Sequence, residues 1–217
     1  YKLLKVDKLD NQPISEKIIK RIADNIKRQK CDVIIFSDFR HGIFNKTSIP
    51  VLISSIKKNI FKVADSQVAT RWGNITDFKE FDLITPNERE ARFSLADQDS
   101  NISELTRQLI IETKFKNLIL KLGERGIFSH GQIGKEPLSF AIPSFVNKVE
   151  DTVGAGDALL SYATLSMIKT KSLVISSILG SIAAACECEY NGNLVITPDQ
   201  IITKINLIEE SSSYKIK

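Results

Sequence analysis

The chain has 217 residues, of which 42% are apolar and 26% are charged, and these proportions exclude a disordered or fibrous protein. The net charge of +4 comes from 30 basic and 26 acidic residues that are interspersed along the chain, so no nucleic-acid partner is expected. The longest weakly polar stretch, 173–186, is too short to span a bilayer, so no membrane partner is expected either.

The first half of the chain predicts alternating helices and strands. Residues 2–6 have the composition of a strand, and because the chain starts with Tyr1 rather than Met, we expect it to be part of a longer one. Ser15 precedes isoleucines at helical spacing and is the expected N-cap of a helix. Residues 33–36 predict a strand that is buried on both faces. The further predicted elements are a helix at 48–56, strands at 60–64 and 81–84, helices at 88–96 and 102–113, and a strand at 117–122.

The second half predicts a β-hairpin followed by helices. The hairpin covers 127–141, with its turn at Gly131 to Gly134. Helices are expected at 155–168, at 173–189 and from Pro198 onward. This order predicts a single α/β domain over residues 1–217, with a mostly parallel central sheet, helices on both faces and an appended hairpin.

Polar residues end three of the predicted strands, at Asp38, Asp65 and Asn87. Ligands of such sheets bind beyond the carboxyl ends of the strands, so these side chains are candidate ligand contacts. The alternative is that Asp and Asn only favour turns and helix caps.

Three cysteines, Cys31, Cys186 and Cys188, have neither the spacing of a zinc site nor that of a redox pair. We predict that they are buried small side chains in a reducing cytoplasmic compartment.

The most informative segment is Asp151-Thr152-Val153-Gly154-Ala155-Gly156-Asp157, which opens directly into an apolar helical run. A turn with two glycines at the start of a helix directs backbone N–H groups outward, where they can bind an anion. Asp157 follows them and can accept a proton, which suits the transfer of a phosphoryl group to a hydroxyl. The alternative is that Asp157 only complements the helix dipole.

Two further motifs support a nucleotide site. Asn87 and Glu90 are three residues apart on the first turn of a predicted helix, and their oxygens suit Mg²⁺. Gly123 and Gly126 follow a strand and permit close approach of a nucleotide, although a plain hairpin turn needs the same residues. The common phosphate-loop, dinucleotide-binding and hydrolase motifs are absent from the sequence.

The sequence resembles the ribokinase-like (PfkB) family of carbohydrate kinases. Residues 151–157 are similar to the family motif D-T-x-G-A-G-D, Asn87 and Glu90 match N-x-x-E, and Gly123 and Gly126 match L-G-x-x-G. The resemblance implies a three-layer α/β/α fold, of which this chain holds the C-terminal two-thirds. It would lack the N-terminal strand and most of the sugar-binding lid, with residues 1–7 as a remnant of the last lid strand.

The resemblance also implies roles for individual residues. Asp157 would be the catalytic base, and Gly154, Ala155 and Gly156 would form the anion hole. Asn87 and Glu90 would organise Mg²⁺ through water. The nucleotide would contact Thr152, Lys121, Gly123 and Gly126, with Gly192 and Asn193 near the adenine, and the substrate would contact Asp38 and Asp151.

The activity implied by the resemblance is ATP-dependent phosphorylation of a small sugar or sugar phosphate. Within the family, residues 37–42 are similar to a stretch of the heptose-phosphate kinases, although Arg40 and His41 differ from it and Asp65-Ser66-Gln67 departs from the commoner D-P-K or D-P-N. Two alternatives stay open: a nucleotide-binding module without catalysis, and the kinase half of a bifunctional sugar kinase and nucleotidyltransferase. A homodimer is compatible with the sequence.

Overall fold

The computed structural model describes residues 12–66 and 75–211. The predicted strand at 2–6, the lid remnant at 1–7 and Gln67 lie outside the described residues. The chain divides into two compact units. The first unit comprises Tyr1–Asp82 and Arg89–Phe115, and the second comprises Leu83–Glu88 and Lys116–Lys217.

The first unit holds a pair of parallel strands and the helices around them. Its strands β1 and β2 pair in register from Val33 opposite Phe61 to Asp38 opposite Ser66. The elements are α1 (Glu16–Arg28), β1 (Val33–Asp38), α2 (Ser48–Ser54), β2 (Phe61–Ser66), α3 (Glu88–Leu95), which starts at the boundary of the units, and α4 (Ile102–Thr113).

An aromatic cluster forms much of the core of the first unit. Phe36 of β1 stacks on Phe44 at 4.9 Å between ring centroids and meets Phe81 edge-on at 5.4 Å. Phe78 meets Phe81 edge-on at 5.6 Å, an arrangement that suits the charge distribution of aromatic rings. The cluster therefore fixes β1, and with it the strand end that carries Asp38.

Two predictions in the first unit are wrong in detail. The strand at 33–36 is not buried on both faces, because Phe36 points into the aromatic cluster while Ile35, on the opposite face, is 40% exposed. The helix predicted at 48–56 starts at Ser48 as expected but ends at Ser54. Ser15 is the N-cap of α1, as predicted, although its side chain makes no capping hydrogen bond.

Asn45 explains where α2 starts. Its side-chain Oδ1 accepts hydrogen bonds from the backbone N–H groups of Thr47 and Ser48, at 2.9 and 3.0 Å. The Ser48 hydroxyl donates back to the Ile43 carbonyl at 2.6 Å. Asn45 thus satisfies the amides of the N-cap and of the first helical residue of α2.

The second unit holds four strands and three helices within the described residues. Leu83 and Ile84 pair in parallel with β4, and β4, β5 and β6 are antiparallel to one another in sequence order. The elements are β3 (Leu83–Ile84), β4 (Asn117–Lys121), β5 (Ile127–Ile133), β6 (Glu136–Ile142), α5 (Ala155–Thr170), α6 (Leu173–Cys188) and α7 (Pro198–Ser211).

The appended hairpin is confirmed, but its turn is at Gly134 and Lys135 rather than at Gly131 to Gly134. Gly131 lies inside β5, where a Cβ would come within 2.6 Å of Asn117 Oδ1 and 2.8 Å of a Leu173 methyl carbon. The glycine at 131 therefore permits close packing rather than a turn.

Helices α5 and α6 pack closely because Gly180 has no side chain. A Cβ at this position would lie 3.0 Å from Ala163 Cβ and 3.1 Å from the Leu159 carbonyl oxygen. This packing fixes the N-terminus of α5 in the second unit.

No helix in the described part of the chain combines the length and the apolar character needed to cross a bilayer.

The cysteines differ in exposure. Cys186 and Cys188 on α6 are buried, as predicted, whereas Cys31 is exposed, against the prediction. Cys31 lies in the connection between α1 and β1, and connections of this kind run over the protein surface.

Candidate functional site

The glycine turn lies at the N-terminus of α5. Gly154 is its N-cap with φ +91°, in the left-handed region that favours glycine, and Ala155 is the first helical residue. The first hydrogen bond within the helix runs from the Ala158 N–H to the Gly154 carbonyl at 2.9 Å. The amides of Ala155, Gly156 and Asp157 precede that bond, and the Ala155 N–H donates to the Thr152 carbonyl at 3.4 Å. The N-terminus of the helix is where an anion can bind.

Asp151 shapes the approach to this turn. Its Oδ1 accepts a hydrogen bond from the Val153 N–H at 3.1 Å, two residues along the chain. Asp151 and Asp157 are both half-buried, and Thr152 and Val153 between them are exposed. The turn is thus accessible at the surface of the second unit rather than sealed in its core.

The side chains of Asn193 and Glu187 pack against Gly154. A Cβ on Gly154 would lie 2.6 Å from Asn193 Oδ1 and 2.6 Å from Glu187 Oε1. Glu187 is fully buried, and its Oε1 also accepts from the Leu194 N–H at 2.9 Å. Glu187 therefore ties the 191–194 loop to the glycine turn, a role that sequence reasoning missed.

A cleft of about 640 Å³ opens beside the turn. This volume is in the range of small-molecule binding sites. The structure brings together six of the predicted site residues in its walls, namely Lys121, Gly123, Gly126, Thr152, Ala155 and Gly156. One face of α6 supplies a small-residue wall that was not predicted, with Ser181, Ala184, Ala185 and Cys188.

The two glycines in the turn between β4 and β5 have different surroundings. Gly126 has φ +88°, and a Cβ there would lie 2.1 Å from the Ile142 carbonyl oxygen, so the backbone of β6 requires glycine. Gly123 has φ +64° and nothing within 4 Å of the position of a Cβ. The open space next to Gly123 allows a ligand to contact the backbone of this residue.

Lys121 brings positive charge to the glycine turn. Its Nζ lies 3.4 Å from the position that a Cβ on Gly156 would occupy. Because the N-terminus of α5 is also electropositive, the two features favour an anion at the same place.

Gly192 and Asn193, which the family resemblance implied to lie near the adenine, are not among the residues that line this cleft. The Asn193 side chain instead contacts Gly154. The reason is that the wall next to the turn is built from the face of α6, so the loop that follows this helix lies behind the turn.

Asn87 lies immediately before α3, at a bridge to Lys121 of β4. The Lys121 N–H donates to the Pro86 carbonyl at 2.9 Å, and Arg125 forms an ion pair with Glu88. These contacts fix Asn87 at the end of β4. Glu90, in the first turn of α3, is only 4% exposed.

The predicted strand ends of the first unit carry two buried carboxylates. Asp38 and Asp65 are each 3% exposed, and in the parallel pair of β1 and β2 Asp38 lies opposite Ser66 while Asp65 lies opposite Ser37. Asp38 Oδ1 accepts from the Arg40 N–H at 2.8 Å, and its Oδ2 pairs with the Arg40 guanidinium at 3.3 Å. A ligand that binds Asp38 must therefore share this carboxylate with Arg40.

Acidic groups surround the buried thiol of Cys188 in the cleft wall. Burial raises the pKa of this thiol, and the carboxylates of Glu187, Glu189 and Asp151 raise it further because they disfavour a nearby thiolate. Cys188 thus lines the cleft as a neutral thiol.

Comparison with solved structures shows the fold. Phosphofructokinase-2 from Escherichia coli in complex with potassium matches with a TM-score of 0.76 and 16% identity, over 90% of this chain and 63% of that one. Arabidopsis thaliana ribokinase complexed with ribose and ATP matches with a TM-score of 0.66 and 16% identity, over 89% and 60%. The predicted ribokinase-like α/β fold is confirmed.

Comparison with curated proteins finds relatives along almost the whole chain. The bifunctional protein HldE of Rhodopseudomonas palustris (strain BisB5) is 24% identical over 208 residues, covering 94% of this chain and 41% of the relative. HldE of Desulfatibacillum aliphaticivorans is 27% identical over 225 residues, covering 99% and 43%. The chain thus spans about two fifths of the length of these relatives.

A sequence profile described as "pfkB family carbohydrate kinase" matches residues 48–199. This range includes the Asn87 motif, the Gly123 turn and the glycine turn of α5. The match spans well over half of the chain and agrees with the fold, so the chain belongs to the pfkB family of carbohydrate kinases.

Proposed function

We propose that the full-length protein transfers a phosphoryl group from ATP to a hydroxyl of a sugar or sugar phosphate. The observation that carries the proposal is the cleft of about 640 Å³ that reaches the N-terminus of α5, where Ala155 and Gly156 line it. A nucleotide in this cleft would direct its terminal phosphate at the helix amides. Membership of the family supports the same chemistry.

The residues of the cleft fit a nucleoside triphosphate. Lys121 and the glycine turn concentrate positive potential at one end, which suits phosphates. Gly123, Gly126 and Thr152 border the same space and would contact the nucleotide. The apolar wall from α6 suits a purine base, and we assign Asn193 to support of the turn rather than to base contact.

Asn87 of the second unit and Glu90 of the first are each a proposed contact of Mg²⁺ through water. An amide oxygen and a carboxylate are both donors that suit a hard cation that keeps several of its waters. When bound, Mg²⁺ neutralises charge on the phosphates. Asn87 would hold its place in this arrangement through the bridge to Lys121.

Asp157 is the proposed catalytic base. It is the third residue of α5, half-buried and next to the amides of the turn, so it can accept the proton of a substrate hydroxyl that attacks phosphorus. The helix N-terminus favours its ionised form. A weak base is sufficient because the transition state of phosphoryl transfer is loose. The turn of Gly154, Ala155 and Gly156 would stabilise the transferred group through its backbone amides, of which that of Ala155 also donates to the Thr152 carbonyl.

Asp38 and Asp151 are the proposed substrate contacts. Asp38 would bind sugar hydroxyls while it is held by Arg40. Asp151 accepts from the Val153 N–H in the turn, which holds its carboxylate at the approach to the glycine turn, where we propose that it contacts the substrate.

A second candidate is the kinase half of a bifunctional protein. The relatives named bifunctional protein HldE support it, because their similarity extends over 94% of the chain or more in the two that are described above. On this proposal the acceptor is a sugar phosphate, and nucleotidyl transfer belongs to a part of the protein outside these residues.

The two buried cysteines fit a reducing cytoplasmic compartment.

The test uses the full-length protein with ATP, Mg²⁺ and a panel of sugars and sugar phosphates. Transfer of the γ-phosphate to a panel member, together with ATP binding measured by calorimetry, is the expected result. ATP binding without turnover on any acceptor would instead indicate a nucleotide-binding module, and absence of ATP binding would refute the proposal.

A further inference from the structure

A buried lysine on α7 has no catalytic role in the proposed reaction. Lys204 is 4% exposed and lies next to the apolar cluster that contains Cys186 and Ile201. A buried ammonium is costly unless it is paired and hydrogen-bonded. Its Nζ donates to Glu189 Oε1 at 2.5 Å, which supplies that pairing.

Glu189 is the C-cap of α6, directly after its last residue. Its backbone N–H donates to the carbonyls of Ala185 and Cys186, so the residue is fixed to the helix. The same Oε1 that pairs with Lys204 also accepts from the Asn147 N–H at 2.8 Å. One carboxylate oxygen therefore joins α7, the end of α6 and the segment that contains Asn147.

The segment from 144 to 149 is a wall of the cleft. Val146, Asn147 and Val149 line the cleft, and the segment belongs to the irregular stretch between β6 and α5. Just beyond it, the N–H groups of Glu150 and Asp151 donate to the Cys188 carbonyl at 2.8 and 3.3 Å. The end of α6 thus holds the cleft wall and the approach to the glycine turn.

We propose that Lys204 and Glu189 are positioning residues for the nucleotide, because their ion pair fixes the Asn147 amide and with it the 144–149 wall. This inference rests on the proposed function, since it assumes that the cleft binds ATP. Without the ammonium, the Glu189 carboxylate loses its ion-pair partner. It turns toward solvent, where 24% of its side chain is already exposed, and releases Asn147.

The proposal separates nucleotide binding from chemistry. Loosening the 144–149 wall weakens ATP binding, whereas Lys204 and Glu189 themselves are not among the residues that line the cleft. Loss of one charge-assisted hydrogen bond corresponds to about a tenfold weaker affinity. We therefore expect a change in the KM for ATP without a matching change in kcat.

The experiment compares Lys204→Met with the unmodified full-length protein. The expected result is an increase of about tenfold in the KM for ATP and in its calorimetric Kd, with kcat and the sugar KM within about twofold. Amide hydrogen exchange of the 144–149 segment should become faster. Lys27→Met is the control, because Lys27 forms an exposed ion pair with Asp24 on α1, is not among the residues that line the cleft, and should leave these values unchanged.

Two further variants test the charge and the hydrogen bond separately. Glu189→Gln keeps an oxygen that can accept from Asn147, so it should raise the ATP KM less than Lys204→Met does. The double variant Lys204→Met/Glu189→Gln has lost both the ammonium and the charge of the carboxylate. Its ATP KM should therefore be lower than that of Lys204→Met and close to that of Glu189→Gln. If Lys204→Met does not fold, Glu189→Gln removes the ion pair in its place, and Lys204→Arg, which keeps the positive charge, should leave the ATP KM nearer to that of the unmodified protein.

Two outcomes overturn the inference. One is a lower melting temperature and kcat in Lys204→Met with an unchanged Kd for ATP and unchanged hydrogen exchange at 144–149, which would mean a purely structural pair. The other is absence of ATP binding by the unmodified protein, which would refute the proposed function as well. If the unmodified protein binds ATP but transfers no phosphoryl group, only the proposed function fails, and the Kd comparison still decides the role of Lys204.

Discussion

Replacement of Gly154 by alanine tests the geometry of the anion-binding turn. At φ +91° a residue with a Cβ is strained, at a cost of about 1–2 kcal/mol. The added carbon would also lie 2.6 Å from both Asn193 Oδ1 and Glu187 Oε1, and overpacking of this kind costs about 1–3 kcal/mol more. The sum is about 2–5 kcal/mol of unfolding free energy.

Gly192→Ala is the matched control for backbone strain. Gly192 has φ +90°, but nothing lies within 4 Å of the position that a Cβ would occupy, so alanine there meets the strain without the contact. We expect Gly192→Ala to lose about 1–2 kcal/mol and Gly154→Ala about 1–3 kcal/mol beyond that. For a chain of this size the melting temperature falls by about 2–4 °C per kcal/mol.

The assays are thermal unfolding and steady-state kinetics of the full-length protein. Because the turn must move to accommodate the methyl group, kcat of Gly154→Ala should fall about 100- to 1,000-fold, as for loss of an oxyanion-hole donor. Gly134→Ala, in the hairpin turn, is the control for activity and should keep kcat. Equal losses of stability in Gly154→Ala and Gly192→Ala would refute the contact argument, and an unchanged kcat would refute the assignment of the turn.

The remaining predictions concern the walls of the cleft. Gly126→Ala places a Cβ 2.1 Å from the Ile142 carbonyl oxygen and should lower the melting temperature by at least about 5 °C. At Gly123 the Cβ of an alanine meets open space, so Gly123→Ala should lower the melting temperature by less. Equal changes in the two variants would contradict this geometry. Burial raises the pKa of the Cys188 thiol, and alkylation requires the thiolate. Cys188 should therefore react with iodoacetamide more slowly than exposed Cys31 at neutral pH. The alkylation rate of Cys188 should keep rising as the pH passes the ordinary thiol pKa. ATP should slow the labelling of Cys188 but not that of Cys31, as mass spectrometry of the labelled peptides would show; protection of neither or of both would argue against nucleotide in the cleft.

Local sequence patterns predicted much of the fold. The helix at 102–113 has the bounds that were expected, because Leu105 and Leu109 lie one turn apart on its buried face and Asn101 caps it through the Glu104 N–H. The errors come from tertiary contacts. Gly131 is inside a strand because Asn117 and Leu173 approach it, and no local pattern reveals such neighbours.

The candidate site was predictable where it depends on backbone conformation. Gly154 takes the positive φ that its turn requires, and the motif around it is contiguous in sequence. Glu187, Glu189 and Lys204 were missed because charged residues on helices are usually solvated, and their burial follows from the packing of α6 against α7. The acidic residues in the Cys186 to Glu189 stretch of an otherwise apolar helix were the available signal.

The most direct test of the proposed chemistry is Asp157→Asn in the full-length protein, which removes the proton acceptor and keeps the size of the side chain. The proposal predicts that kcat for the phosphorylated sugar falls by a factor of about 100 to 10,000, the usual contribution of a general base, while the calorimetric Kd for ATP changes little. An unchanged kcat would contradict it, because phosphoryl transfer would then not depend on this carboxylate.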